Sequence, residues 1–351
     1  MTIHRIRGPR QAMGSHQRLQ ALLSGREVDR VPCHPFLNDH AARVLGVSLA
    51  QYHLDPTAMA DAQIAAYREY GHDLITVGPA LGLLECLGAT LDYPQNAAPC
   101  LIAPSVDSPS DLRRLSPVNP RDPRIARYLD AAESIAHRVG EDVPVALTLR
   151  CPFSTAAQLR GVERFLEDLA MRPSFAHALL EIALRATLRI VDSARAIDGI
   201  SFVATDPFAS ALSPQNYAAF AQPYAKRMIA LMNVVGRYPT ILHICGDTSN
   251  IWHAMAETKA GVLSLGHSVD FAQAAQTVGK RVVLMGNMQP TGSVRFGTPD
   301  RVREDALQCL WQGESCGGSV MLSLGCDLPV DAPPENVHAL LDVAREHAHE
   351  H

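Results

Sequence analysis

His243, Cys245 and Cys326 are the residues whose types and spacing could do chemistry. His243 and Cys245 stand two apart in His243-Ile-Cys-Gly-Asp247, directly after the strand-like run Pro239-Thr-Ile-Leu. Alternation along a strand puts residues i and i+2 on one face. An imidazole and a thiol carried to the end of that strand therefore point the same way. Cys326, in Gly325-Cys-Asp327, follows a second apolar run and lies 81 residues further on. Each residue alone is also an ordinary buried strand residue, since cysteine is commonly buried. Together, at the ends of strands, they read as an N, S, S set for a borderline-soft cation such as Zn²⁺. Three protein donors and an open position mark a catalytic zinc, and no Cys-x-x-Cys pair occurs to build a closed structural one.

Two thiolates donate charge to the metal and limit its Lewis acidity. Such a site suits holding a substrate thiol as its thiolate, because a thiol with an ordinary pKa of about 8.5 is mostly protonated at neutral pH. Activation of water is the competing use, and Asp206, Asp247 or Asp327 could then serve as base.

The elements that must deliver these residues follow a rhythm. Apolar runs at 33–37, 73–77, 143–149, 200–205, 240–244, 262–265, 282–285 and 319–324 read as strands, each followed by helix. Helices are expected at 16–26, 38–45, 56–70, 124–139, 161–171, 174–197, 214–235, 249–259, 271–278, 299–312 and 334–347, and a small hairpin near Leu91-Asp-Tyr-Pro94. Continuously apolar strands argue for a parallel sheet buried on both faces. Eight such units predict a (β/α)₈ TIM barrel. An open doubly wound sheet is the alternative, but no Gly-x-Gly-x-x-Gly follows any strand. One domain over 1–351 is expected, with a helical preface at 1–30 and a frayed tail at 346–351.

In such a barrel chemistry sits at the C-terminal ends of strands. The groups expected there are Arg150, Asp206, His243 with Cys245, His267, Asn287 with Gln289, and Cys326. Asp206 and His267 are candidate catalytic groups, Asp206 also as the hydrogen-bond partner that orients His243. Arg150 could bind an anionic group such as a sulfonate or carboxylate, and Asn287 and Gln289 could offer amide contacts. Asp327 could instead hold its loop. Cys151, Cys309 and Cys316 read as packing residues.

The bulk numbers exclude other classes. The chain has 351 residues with a formal net charge of -5, which gives no electrostatic reason to expect nucleic acid or an anionic membrane. Neither a signal peptide nor a spanning segment is legible, and eight scattered cysteines read as reduced thiols of a cytoplasmic protein.

Val28-Asp-Arg-Val-Pro32, His243-Ile-Cys-Gly246, Gly286-Asn-Met-Gln-Pro290 with Gly297-Thr-Pro299, and Gly325-Cys-Asp-Leu328 with Pro334-Glu-Asn336 resemble the uroporphyrinogen decarboxylase superfamily. More narrowly they are similar to its methylcobamide:coenzyme M methyltransferase branch, over about Arg18 to Leu341. The resemblance implies that His243, Cys245 and Cys326 bind zinc. It also implies that zinc activates a thiol such as coenzyme M for attack on a methyl group carried by a corrinoid. A cobalamin-dependent methyltransferase of this kind takes its methylcobamide free or on a partner corrinoid protein. The metal-free decarboxylases fit less well: no arginine occurs in Cys33-His-Pro-Phe-Leu-Asn-Asp-His40, and no acid in Ile75-Thr-Val-Gly-Pro79. Transfer in the demethylating direction, from an S- or O-methyl donor, remains an alternative, as do a folate-type amine acceptor and a non-catalytic corrinoid or metal module.

Overall fold

The computed structural model describes residues 12–115, 117–315 and 317–347. Cys316 and the end of the tail therefore lie outside the described residues, as does the start of the preface.

Seven parallel strands form one curled sheet: β1 (Ile75–Val77), β4 (Val145–Arg150), β5 (Ile200–Thr205), β6 (Ile241–Ile244), β7 (Val262–Leu265), β8 (Val283–Met288) and β9 (Val320–Leu324), in that order. β2 (Thr90–Asp92) and β3 (Cys100–Ala103) make a separate antiparallel hairpin where one was expected. The architecture is a TIM barrel, as the strand–helix rhythm predicted.

The barrel closes differently from expectation. Residues 33–37 are not a full strand; only Cys33 forms a bridge, to Leu322 of β9. Cys33 also spans to the other side of the seam, where its carbonyl accepts from the Asp73 amide at 2.8 Å. Pro32 and Pro35 have no N–H to give a ladder, and Phe36 (φ 47°) and Asn38 (φ 32°) leave extended space altogether. Continuous apolarity here reflects burial, not pairing.

One helix is added to those expected, and one expected helix is corrected. Pro152–Arg160 is a helix, although no periodic signal marks it, because all nine of its residues are buried and it has no polar face. The helix expected at 214–235 is interrupted by a wide turn over Tyr217–Ala221. Pro223 follows it and cannot donate to the preceding turn.

Strand alternation sorts the core. Leu242, Leu263, Leu284 and Leu322 face the surrounding helices. Ala146, Val203, Ile241, Val262, Val283 and Met321 pack together inside the barrel. The helix Ser15–Leu23 puts Ala21 and Leu22 into that same inner cluster and so plugs the N-terminal end. Arg18 holds it there by an ion pair of 2.6 Å to the fully buried Asp73, which also pairs with Arg30 at 2.7 Å. The closed lower end leaves the C-terminal mouth as the route into the barrel. No helix among the described residues is long and apolar enough to cross a membrane.

Candidate metal centre at the barrel mouth

One step above the apolar layer, the inward positions turn polar. Parallel pairing aligns Arg150 with Thr205, Thr205 with His243, and His243 with Ser264. These four side chains thus form one row across β4, β5, β6 and β7.

His243 faces inward with Ile241, while Leu242 and Ile244 face out. Cys245 continues the inward face. The donor atoms of His243, Cys245 and Cys326 all lie within 4.8 Å of one another. His243 Nε2 is 2.9 Å from Cys245 Sγ, and the two sulfurs are 3.5 Å apart. Zinc–ligand lengths of about 2.0–2.3 Å in a tetrahedron need donors about 3.5–3.8 Å apart. The sulfur pair meets this, and an opening of about 0.6 Å brings His243 and Cys245 to it.

β6 and β9 are not neighbours, so something must bring their loops together. That is done by glycines. A Cβ on Gly266, after β7, would stand 2.6 Å from the Gly246 carbonyl oxygen and 2.8 Å from its nitrogen. A Cβ on Gly325 would stand 2.3 Å from the His267 nitrogen. Three loops therefore touch main chain to main chain, which a larger residue would forbid. This stacking lets Cys326 reach Cys245 across two strands.

The electrostatics of the pair call for a cation. The Cys245 thiol and His243 hold Cys326 well below the usual thiol range, while Cys245 itself is raised by its bond to Cys326, by burial and by that neighbouring charge. Two adjacent thiolates repel, so the metal-free pair keeps one proton. A divalent cation removes the conflict, since bound thiols are deprotonated outright. The donor set therefore fits zinc. The partner that orients His243 is Ser264, whose Oγ is 2.9 Å from Nδ1. With the Nδ1 proton donated to Ser264, Nε2 is left as a donor to metal, a tautomer inferred from the hydrogen bonds. The Phe36 ring, 5.3 Å from that of His243, closes one side.

A pocket of about 170 Å³ opens over these donors. Pro79, Pro207 and Phe36 give it apolar wall, and Thr148, Arg150 and Thr205 line it from β4 and β5. Asn38 Nδ2 donates to Asp327 at 2.6 Å and so ties the Cys326 loop to the seam.

The other expected site residues are placed as follows. Arg150 lines the pocket. Asp206 is 1% exposed and accepts from the Ser154 amide and hydroxyl at 3.0 and 2.5 Å, capping the helix Pro152–Arg160 from outside. Burial pushes its carboxyl up to about 7, against those bonds and the Arg150 charge. His267 is exposed on the loop after β7. Asn287 is buried, and its amide donates to the Gly266 and Val269 carbonyls at 3.1 and 3.0 Å, which fixes the glycine-bearing loop. Gln289 is exposed beyond β8. Sequence reasoning missed Ser264, Asn38, Phe36, Thr148 and Thr205. Only the period-2 placement of the three strand residues among them, level with His243 or two residues below Arg150, could have drawn attention to them.

Residues 15–347 match the uroporphyrinogen decarboxylase (URO-D) family. The chain is 26% identical over 345 residues to the methylcobamide:CoM methyltransferase MtaA of Methanosarcina barkeri, covering 94% of this chain and 97% of that protein. It is 25% identical over 334 residues to a methylated-thiol–coenzyme M methyltransferase of Methanosarcina mazei, covering 93% and 88%. A solved structure, a methyltransferase from Methanosarcina mazei, superposes with a TM-score of 0.85 at 24% identity, covering 95% of this chain and 99% of that one, a likeness of fold.

Proposed function

The chain belongs to the uroporphyrinogen decarboxylase family, and on that premise we propose that it is a zinc-dependent methyltransferase that moves a methyl group from a methylated corrinoid to a thiol. The observation that carries this reading is the convergence of His243, Cys245 and Cys326 within 4.8 Å at the base of a pocket. Relatives named for transfer between methylcobamide and coenzyme M support the donor and acceptor classes.

His243, Cys245 and Cys326 would hold the zinc. Zinc bound there supplies the positive charge that keeps an acceptor thiol deprotonated at neutral pH. Ser264 fixes the imidazole so that Nε2 faces the pocket. Phe36, Pro79 and Pro207 limit water around the sulfur and raise its nucleophilicity. The thiolate attacks the methyl carbon, the new C–S bond forms as the donor's bond to that carbon breaks, and the electron pair stays with the donor. A pocket of this size holds a small thiol, so the much larger corrinoid must present its methyl group at the open mouth, free or on a partner protein.

Metal analysis and transfer assays test the reading together. The purified protein should hold about one zinc per chain and methylate coenzyme M or another thiol from methylcobalamin. Full transfer activity in a Cys245→Ala, Cys326→Ala double variant would overturn it, as would decarboxylation of uroporphyrinogen by metal-free protein.

A further inference from the structure

We propose that Cys245 and Cys326 are also an oxidative modification site, at which hydrogen peroxide joins the two sulfurs in a disulfide and so expels the metal. The disulfide rests on the donor cluster alone; its effect on transfer rests on the methyl-transfer reading above. The two sulfurs are 3.5 Å apart. A disulfide is about 2.05 Å long, so they must close by about 1.5 Å, which rotation about the two Cα–Cβ bonds supplies. The main chain around them is held without help from the sulfurs. The Gly325 amide donates to the Met288 carbonyl at 2.8 Å, and the Leu328 amide to the Phe36 carbonyl at 3.0 Å. Gly246, next to Cys245, is packed against Gly266. The thiols thus stay neighbours although 81 residues separate them in sequence.

Both cysteines are half-buried and line the pocket. Its volume of about 170 Å³ has room for hydrogen peroxide, whose two oxygens fill about the space of two waters, about 60 Å³. Cys33, Cys151 and Cys309 are enclosed in the core, out of reach of the mouth. The step balances. One thiolate attacks the O–O bond of the peroxide, its sulfur becomes a sulfenic acid, and hydroxide leaves. The second thiolate attacks that sulfur, the S–S bond forms as the S–O bond breaks, and a second hydroxide leaves. Two protons from solvent turn both hydroxides to water. The sulfurs lose two electrons and the peroxide gains them. A partner sulfur at 3.5 Å captures the sulfenic acid before more peroxide arrives, so oxidation stops at its reversible stage. Disulfide sulfurs carry no charge to hold a cation, and His243 remains as a lone donor.

The test treats the zinc-loaded full chain with hydrogen peroxide at low protein concentration. Metal release is followed with a zinc-sensitive dye, thiols by titration in denaturant, and linkage by mass spectrometry of an unreduced digest. About one zinc per chain should leave as free thiols fall from eight to six. The digest should hold the Cys245 and Cys326 peptides joined and lighter than their sum by two hydrogens, with Cys33, Cys151 and Cys309 unmodified. A dithiol reductant with added zinc should restore thiols, metal and transfer activity. In Cys326→Ser the remaining Cys245 should go on to sulfinic acid, because no second thiol stands by. Zinc and all thiols surviving a dose that oxidises free glutathione would overturn the proposal. So would recovery of wild-type Cys245 and Cys326 as separate sulfinic acids, or in disulfides to other cysteines. A linked pair in a protein that methylates no thiol before oxidation would sustain the site and sink the transfer reading. Methyl transfer by a protein in which peroxide links no cysteines would do the reverse.

Discussion

Replacing Ser264 by Ala removes one hydroxyl that touches no substrate, yet it should loosen the metal. Ser264 is fully buried in β7 and pairs with His243 in the parallel register. Its Oγ accepts from the Nδ1–H at 2.9 Å in the tautomer that leaves Nε2 for metal. Two routes give the size of the effect. Leaving a buried N–H without a partner costs about 1–3 kcal/mol. Loss of the hydrogen bond that orients a metal-bound histidine lowers affinity about 10- to 100-fold, which is about 1.4–2.8 kcal/mol. The two ranges overlap, so a loss of about 2 kcal/mol, near 30-fold in zinc affinity, is expected. The assay is competition for zinc between the protein and a chelator of known affinity at fixed pH. Ser323→Ala is the control: its Oγ is equally buried but donates to the His34 carbonyl at 2.6 Å, away from the donors. The reasoning fails if Ser264→Ala binds zinc as tightly as wild type, or if Ser323→Ala weakens it as much.

Cys326→Ala and Cys245→Ala should each reduce zinc from about one per chain to a trace by elemental analysis, because two donors do not hold the ion against a chelating buffer. Gly325→Ala should lower zinc affinity at least as far as Ser264→Ala in the same competition assay, since its Cβ would sit 2.3 Å from the His267 nitrogen and must push the Cys326 loop away. Asp206 binds its proton more tightly in the folded chain, with a pKa of about 7 against 3.8, so wild-type stability falls as pH rises through this window. Asp206→Asn escapes that loss; its unfolding free energy should gain about 2–3 kcal/mol on wild type between pH 5 and pH 8 in denaturant titrations, and a constant difference would refute the assignment.

What could be read in advance follows the range of the forces. His243 and Cys245 were legible because a strand's two-residue period is local. Cys326 was legible because a metal-competent group at a strand end has few other reasons to recur. Ser264 was not, since a serine within an apolar run becomes meaningful only when β7 pairs with β6 in a particular register. Arg150 stood out as a strand-end charge, but its hydrogen bond to Gln158 of the following helix exists only once the fold is formed. The helix Pro152–Arg160 escaped because complete burial erases periodicity. Residues 33–37 misled in the opposite sense: the seam is apolar without being paired.

The stacked glycines divide the pocket into two walls with separate supports. On one wall, the reach between the sulfurs is set by how closely three main chains can approach, a distance fixed by atomic radii and indifferent to the side chains around it. On the other, Thr148, Arg150 and Thr205 hang from β4 and β5, where substitutions alter shape and charge without touching those loops. The three donors and the rest of the pocket lining are thus held by different parts of the barrel. On the proposed methyl-transfer reading, drift on the second wall reshapes the pocket while the first keeps its geometry.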